Sequence, residues 1–155
     1  MQKASPDYTL LILSISSPLI LGVYQNSRLV KRVESDRKSS DILLHLIEEV
    51  MDQFPLSRIL YTRGPGSYMA IKLTYIILKT IEIVKDIPFY GCSAFAFNGD
   101  RPIKAMGNLY FVKEKETIIT QKFDEVILQK FALPLSLDGL SIDEVSIPDY
   151  VLPAV

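Results

Sequence analysis

The sequence predicts an α/β chain: a lobe of order β-β-β-α-β-α-β followed by a small β-rich part. Three observations predict it. Short apolar runs joined by tight turns open the chain, two segments with helical character then alternate with short apolar strands, and a turn-rich break precedes a weakly periodic C-terminal third. At 155 residues the chain has room for one domain of ordinary size, or for one full lobe plus a reduced second one. The break at Asn98-Gly99-Asp100-Arg101-Pro102 divides it into an N-terminal lobe over 1–98 and a reduced second lobe over 99–155.

Tyr8 to Ser16 is apolar without alternation, the pattern of a strand buried on both faces. Leu19 to Tyr24 and Leu29 to Glu34 follow, joined by Gln25-Asn26-Ser27-Arg28, a hairpin turn, so the first three strands read as an antiparallel meander. Ser39-Ser40-Asp41 offers caps for a helix over Ile42 to Phe54, with Pro55 just past its end. Ser57 to Thr62 reads as a strand, and Tyr68 to Val84, free of Gly and Pro, as a long helix. Ile87 to Tyr90 is a short strand, and Ser93 to Phe97 is one or two helical turns. Asn108 to Lys113 and Thr117 to Lys122 form a hairpin across Glu114-Lys115-Glu116. Phe123 to Val155 is rich in Pro, Asp and Ser. A meander followed by alternating helices and parallel strands describes a ribonuclease-H-like or actin-like lobe, although other α/β arrangements share the order.

Nearly half of the residues, 48%, are hydrophobic, which supplies a packed core and excludes a disordered chain. The net charge of -1 gives no general attraction to nucleic acid or acidic membranes, so no strong direct tRNA binding is expected. Arg28, Lys31, Arg32, Arg37 and Lys38 alternate with acids and read as a solvated edge. With one cysteine, Cys92, there is no disulfide framework and no cysteine-based zinc site. His45, the only histidine, falls on the first predicted helix beside Glu48 and Glu49 and reads as a surface residue. The first residues lack the charged-then-apolar pattern of a signal peptide. The apolar run 75–81 is broken too early by Lys72, Lys79 and Glu82 to span a membrane. The expectation is a cytoplasmic protein with neither membrane association, metal nor cofactor.

The most informative stretch is Arg63-Gly64-Pro65-Gly66-Ser67, between the strand 57–62 and the long helix. Two glycines around a proline reverse the backbone sharply, and Ser67 is placed to cap the helix amides. Such a corner can face an anion with its free N–H groups. It can equally do no more than turn the chain.

Both helices carry more apolar surface than a sheet-covering helix needs. At about 100° per residue, Ile42, Leu43, Leu44, Leu46, Ile47, Val50, Met51 and Phe54 spread over roughly 200° of the first. The second is apolar almost all round. Lys72 and Lys79 project in nearly the same direction and mark its accessible side, flanked by Tyr68, Tyr75, Ile76 and Ile83. The cover for this patch is either a partner protein or residues 100–155.

With these pieces in place, the chain resembles the TsaB (YeaZ) family, accessory proteins of tRNA threonylcarbamoyladenosine synthesis. Gly64-Pro65-Gly66-Ser67-Tyr68-Met69-Ala70-Ile71-Lys72-Leu73 stands where that family carries a motif resembling GPGSFTGLRIG. Ile12-Leu13-Ser14-Ile15-Ser16-Ser17, then Leu21-Gly22-Val23-Tyr24, follows the layout of an ILAIDTS strand and a SVAL strand. Ser39-Ser40-Asp41-Ile42-Leu43-Leu44 is loosely similar to an HSE-x-LLP helix start, Gly91 to Ala96 resembles a VSSLEAL segment, and Pro148-Asp149-Tyr150 resembles a closing P-x-Y. The likeness covers residues 8–98 well and the remainder poorly. It implies an actin-like (ASKHA) fold and a non-catalytic scaffold. Its partner would be a TsaD-like threonylcarbamoyltransferase, with a TsaE-like ATPase in the assembled complex and a homodimer when the chain is alone. Leu44, Met51, Tyr68, Lys72, Tyr75, Ile76, Lys79 and Ile83 would form the interface, and Gly64, Pro65, Gly66 and Ser67 the motif corner.

The departures from the family pattern bear on chemistry. Ser16 stands where actin-like relatives place an aspartate that organises metal and phosphate, and a hydroxyl brings no charge to Mg²⁺. Ser39 replaces a histidine, Ala70 a glycine, and Thr74 a small residue. These losses fit an accessory member and a diverged paralogue alike. Two other readings stand beside the scaffold: a reduced actin-like kinase or peptidase, and a homodimeric protein with no tRNA role. Against the enzyme, the second lobe is short, no Walker Gly-Lys-Ser/Thr follows Gly64 to Ser67, and a single His leaves no Ser/His/Asp set.

Overall fold

A computed structural model describes residues 6–150. The elements are β1 (Tyr8–Leu13), β2 (Leu19–Gln25), β3 (Arg28–Ser35), α1 (Ser39–Gln53), β4 (Leu56–Gly64), α2 (Tyr68–Lys85), β5 (Phe89–Ser93), a 3₁₀ turn (Ala94–Phe97), β6 (Ile103–Met106), β7 (Leu109–Glu114) and β8 (Thr117–Lys122). A five-stranded sheet has the order β3-β2-β1-β4-β5. β1, β2 and β3 form the expected antiparallel meander, and β4 and β5 run parallel to β1. The β2–β3 turn works because Asn26 and Ser27 both take positive φ, 48° and 71°, the geometry that matches strand twist in a two-residue hairpin.

β1 is the centre of the core. Leu10, Leu11, Ile12 and Leu13 are all fully buried. Leu10 and Ile12 face α1 and α2, while Leu11 and Leu13 face the other way, so the unbroken apolar run does lie between two layers. On the helix side they meet Leu43, Ile47, Ile71 and Leu78. On the opposite side they meet Leu60, Phe95, Phe111 and Phe131, which brings residues from both sides of position 98 into one apolar cluster. Tyr24 and Tyr61 are buried with their hydroxyls donating to the carbonyls of Pro134 and Ser146, and burial pushes both phenol pKa values up.

Four element expectations need correction. The first strand stops at Leu13, because residues 14–18 fold into a turn in which the Ser16 N–H bonds the Leu13 carbonyl at 3.2 Å. The residue capping α1 is Lys38, without a side-chain cap bond; Ser39, Ser40 and Asp41 lie inside the first turn, where Asp41 complements the helix dipole instead. β5 starts at Phe89 rather than Ile87, since Pro88 has no N–H for the ladder, and it continues to Ser93. The hairpin 108–122 gains an unexpected third strand, β6, which pairs with β7. Beyond Lys122 the described chain forms no further helix or ladder strand, only isolated bridges between Arg28 and Ser136 and between Gly91 and Asp143. Of the second part expected over 99–155, residues 151–155 lie outside the described ones. No helix among the described residues is long and apolar enough to cross a membrane.

Candidate functional site

β4 leads directly into the corner and α2 leads out of it. Gly64 has φ 145°, and a Cβ there would overlap the Asp149 carbonyl oxygen, so the position is closed to any side chain. Ser67 caps α2 as expected: its Oγ accepts from the Ala70 N–H at 3.4 Å. The corner borders a cleft of about 580 Å³ toward the second sheet, lined largely by Ile15, Met69, Ile103, Met106, Phe111 and Phe131. Ser17, Ser67, Lys104, Gln129 and Asp149 supply its polar groups. Ser16 is half-buried and does not line it.

Groups for covalent or metal chemistry do not converge here. Among the described residues no three His, Cys, Asp or Glu side chains are grouped to hold a metal ion. His45 lies on the exposed side of α1, its Nε2 3.0 Å from Glu49 Oε1. Cys92 is buried, and burial, then the nearby Asp143 carboxylate, pushes its thiol up to about 12, which keeps it protonated and unreactive at neutral pH.

The second feature is the outer face of α2. Tyr68, Lys72, Ile76, Lys79 and Ile83 form one exposed stripe, with Ile76 51% and Ile83 74% exposed. Lys72 Nζ sits 5.9 Å from the centre of the Tyr68 ring, and Lys79 pairs with Glu82 at 3.0 Å. Tyr75 differs: it is half-buried, with its ring 5.8 Å from that of Phe89 on β5. On α1, Leu44 is 48% exposed and Met51 half-buried; both line a groove of about 720 Å³ between the helices, with Phe54, Ile81 and Val84. The face carries divided charge, with Asp41, Glu48, Glu49 and Asp52 exposed on α1 and Lys72, Lys79 and Lys85 on α2. Side chains between Ile103 and Ile142 pack on the opposite side of the sheet, and among the described residues beyond position 99 it is Tyr150 that reaches the stripe, its ring centre 4.5 Å from that of Tyr68.

Sequence reasoning passed over the residues that bring Tyr150 there. Arg63 reaches across Gly91, where any Cβ would collide with its side chain. Its Nε donates to the Ile147 carbonyl at 2.8 Å and its Nη1 to Asp143 Oδ2 at 3.2 Å. The Asp143 N–H donates to the Gly91 carbonyl at 2.8 Å and the Asp149 N–H to the Arg63 carbonyl at 2.7 Å. The Tyr61 hydroxyl closes on the Ser146 carbonyl. The only local sign was the Pro148-Asp149-Tyr150 ending.

Neither a protein-family model nor a curated protein sequence matches this chain. Among solved structures, YeaZ from Pseudomonas aeruginosa superposes with a TM-score of 0.62 at 12% identity, over 81% of this chain and 72% of that one. An uncharacterized protein from the same organism, described as similar to the peptidase YeaZ, gives 0.61 at 12% identity, over 86% and 72%. At this identity the likeness establishes a common fold: a mixed α/β chain with a five-stranded sheet and two helices.

Proposed function

We propose that this chain is a non-catalytic accessory protein of the TsaB (YeaZ) type, with an actin-like (ASKHA) lobe. It docks through α1 and α2 onto a TsaD-like threonylcarbamoyltransferase that modifies tRNA. A TsaE-like ATPase completes the assembly, and the chain pairs with itself when the transferase is absent. The observation that carries this reading is the uncovered apolar stripe of α2, on a fold matched to the YeaZ structures and with the second sheet on the far side of the core. Half-exposed isoleucines beside lysines suit a surface that is buried by a partner and dissolved without it. The role would be to hold the transferase in its active arrangement.

The description of one Pseudomonas protein mentions a peptidase. Here the Ser67 hydroxyl caps α2 and His45 bonds Glu49, so nothing favours carrying that activity over. The test is capture of the cell's own TsaD-like transferase by the purified chain, with tRNA modification measured with and without it. Capture together with stimulated modification supports the reading. A stable homodimer that never captures the transferase would leave the homodimer without a tRNA role.

A further inference from the structure

We infer that residues 143–150 are a latched strap whose Tyr150 forms part of the docking face, with Arg63 as the positioning residue; this rests on the docking reading above. A chain segment held only to shield a core buries its own apolar side chains. This one leaves Val145 and Ile147 exposed and is secured by polar bonds to its backbone. One of them ties the Asp143 N–H to the Gly91 carbonyl on β5, and the rest converge on two β4 residues: Tyr61 through its hydroxyl, and Arg63 through its guanidinium and its carbonyl. The guanidinium fork holds two points at once, the Ile147 carbonyl and the Asp143 carboxylate, which fixes the segment's direction as well as its position. The lack of a side chain at Gly91 leaves the channel that Arg63 needs.

The strap delivers Tyr150 onto Tyr68, the first residue of the α2 stripe. Tyr150 stays 39% and Tyr68 49% exposed, so the pair is open to a partner and extends the stripe beyond the helix N-terminus. With Lys72 on the Tyr68 ring, the end of the face presents two phenols and an ammonium that has no paired carboxylate among the described residues. It suits a protein surface with an apolar ridge and an acidic side chain beside it, the chemistry required here of the transferase.

The test uses the full chain and the purified transferase, with dissociation constants for Ile76→Glu, Tyr150→Ala, Tyr150→Phe and Arg63→Gln. The Tyr150 hydroxyl makes no bond among the described residues, so Phe should bind within about twofold of the parent. Tyr150→Ala should weaken binding by roughly tenfold at an unchanged thermal midpoint. Arg63→Gln should weaken it similarly and speed amide exchange at Asp143 and Asp149. If Ile76→Glu abolishes capture while Tyr150→Ala binds like the parent, the strap lies outside the docking face and the inference is wrong, though the docking reading stands. If Ile76→Glu also binds normally, both fall. Should Arg63→Gln fail to fold, Tyr150→Ala decides alone, because it leaves the clasp intact.

Discussion

Ile76→Glu separates a docking face from an ordinary surface. Ile76 is 51% exposed in the middle of α2, whereas Leu78, two residues on, is fully buried. Burying a whole isoleucine side chain is worth about 1.5–3 kcal/mol, so the exposed half leaves about 1 kcal/mol for a partner to gain. In a two-fold dimer the residue counts twice, about 2 kcal/mol. Desolvating the two introduced carboxylates against apolar surface, with Lys72 and Lys79 in reach to offset part of the penalty, costs about 2 kcal/mol in addition. The sum, about 4 kcal/mol, raises the dimer dissociation constant about a thousandfold. The fold should not notice. Glu has good helix propensity, Lys72 and Lys79 lie one turn away on either side, and surface changes of this kind fall within about 0.5 kcal/mol. Sedimentation velocity, transferase capture and thermal unfolding on the same sample measure all three consequences. A variant that folds, still self-associates and still captures the transferase would refute the reasoning. Leu78→Glu is the contrasting control, expected to unfold the chain by burying a charge.

Gly64→Ala should cost about 1–3 kcal/mol, because φ 145° is strained for alanine and its Cβ meets the Asp149 carbonyl. The thermal midpoint should drop by about 2–4 °C per kcal/mol, and an unshifted midpoint would show that the strap yields freely. The native Cys92 thiol should ignore an aromatic disulfide reagent at pH 8 and react promptly in denaturant, because burial pushes its pKa up to about 12; fast stoichiometric labelling of the native protein would contradict its buried position. The purified chain alone should neither hydrolyse ATP nor modify tRNA. Turnover that vanished on mutating Gly64, Ser67 or Ser16 would reverse the accessory reading.

What was legible in the sequence was local. Gly-Pro-Gly-Ser announces a turn and a cap through backbone chemistry alone, and Ser67 does cap α2. The unbroken run in β1 announced two covering layers, which neighbours such as Leu43 and Phe111 supply from opposite faces. The strap left no such signal. Arg63 and Ile147 are 84 residues apart, and a side chain reaching a distant carbonyl imposes no periodicity on either segment. β6 is four residues long and follows Pro102, too short to rise above the surrounding turn residues. Ser39-Ser40-Asp41 offered three cap residues in a row, which identifies the start of a helix but not the capping position within it. Tyr75 follows the same logic: a helical wheel sets it beside Lys72 and Lys79, but β5 lies beneath, and Phe89 draws the ring inward.

The proposed docking role draws its support from what occupies each side of the sheet. In open α/β sheets, ligand chemistry gathers beyond the carboxyl ends of parallel strands. Here the chain's own strap, clasped by Arg63, runs past Gly91 in β5 and lies so close to Gly64 at the end of β4 that no Cβ fits, and it borders the largely apolar cleft beside Gly66 and Ser67. Ser16, at the turn after β1, adds no carboxylate there, so Asp149 is the cleft's acidic group among the described residues. The second sheet covers the face opposite the helices, and on the helix side apolar surface stays exposed on α2 and along its groove with α1, while Met106, Val126, Leu128 and Leu135 are scattered, exposed side chains of the C-terminal part. A chain that lines Ile76 and Ile83 up beside Lys72 and Lys79 on one exposed helix face presents there a continuous stripe that a partner can cover, which supports the docking reading.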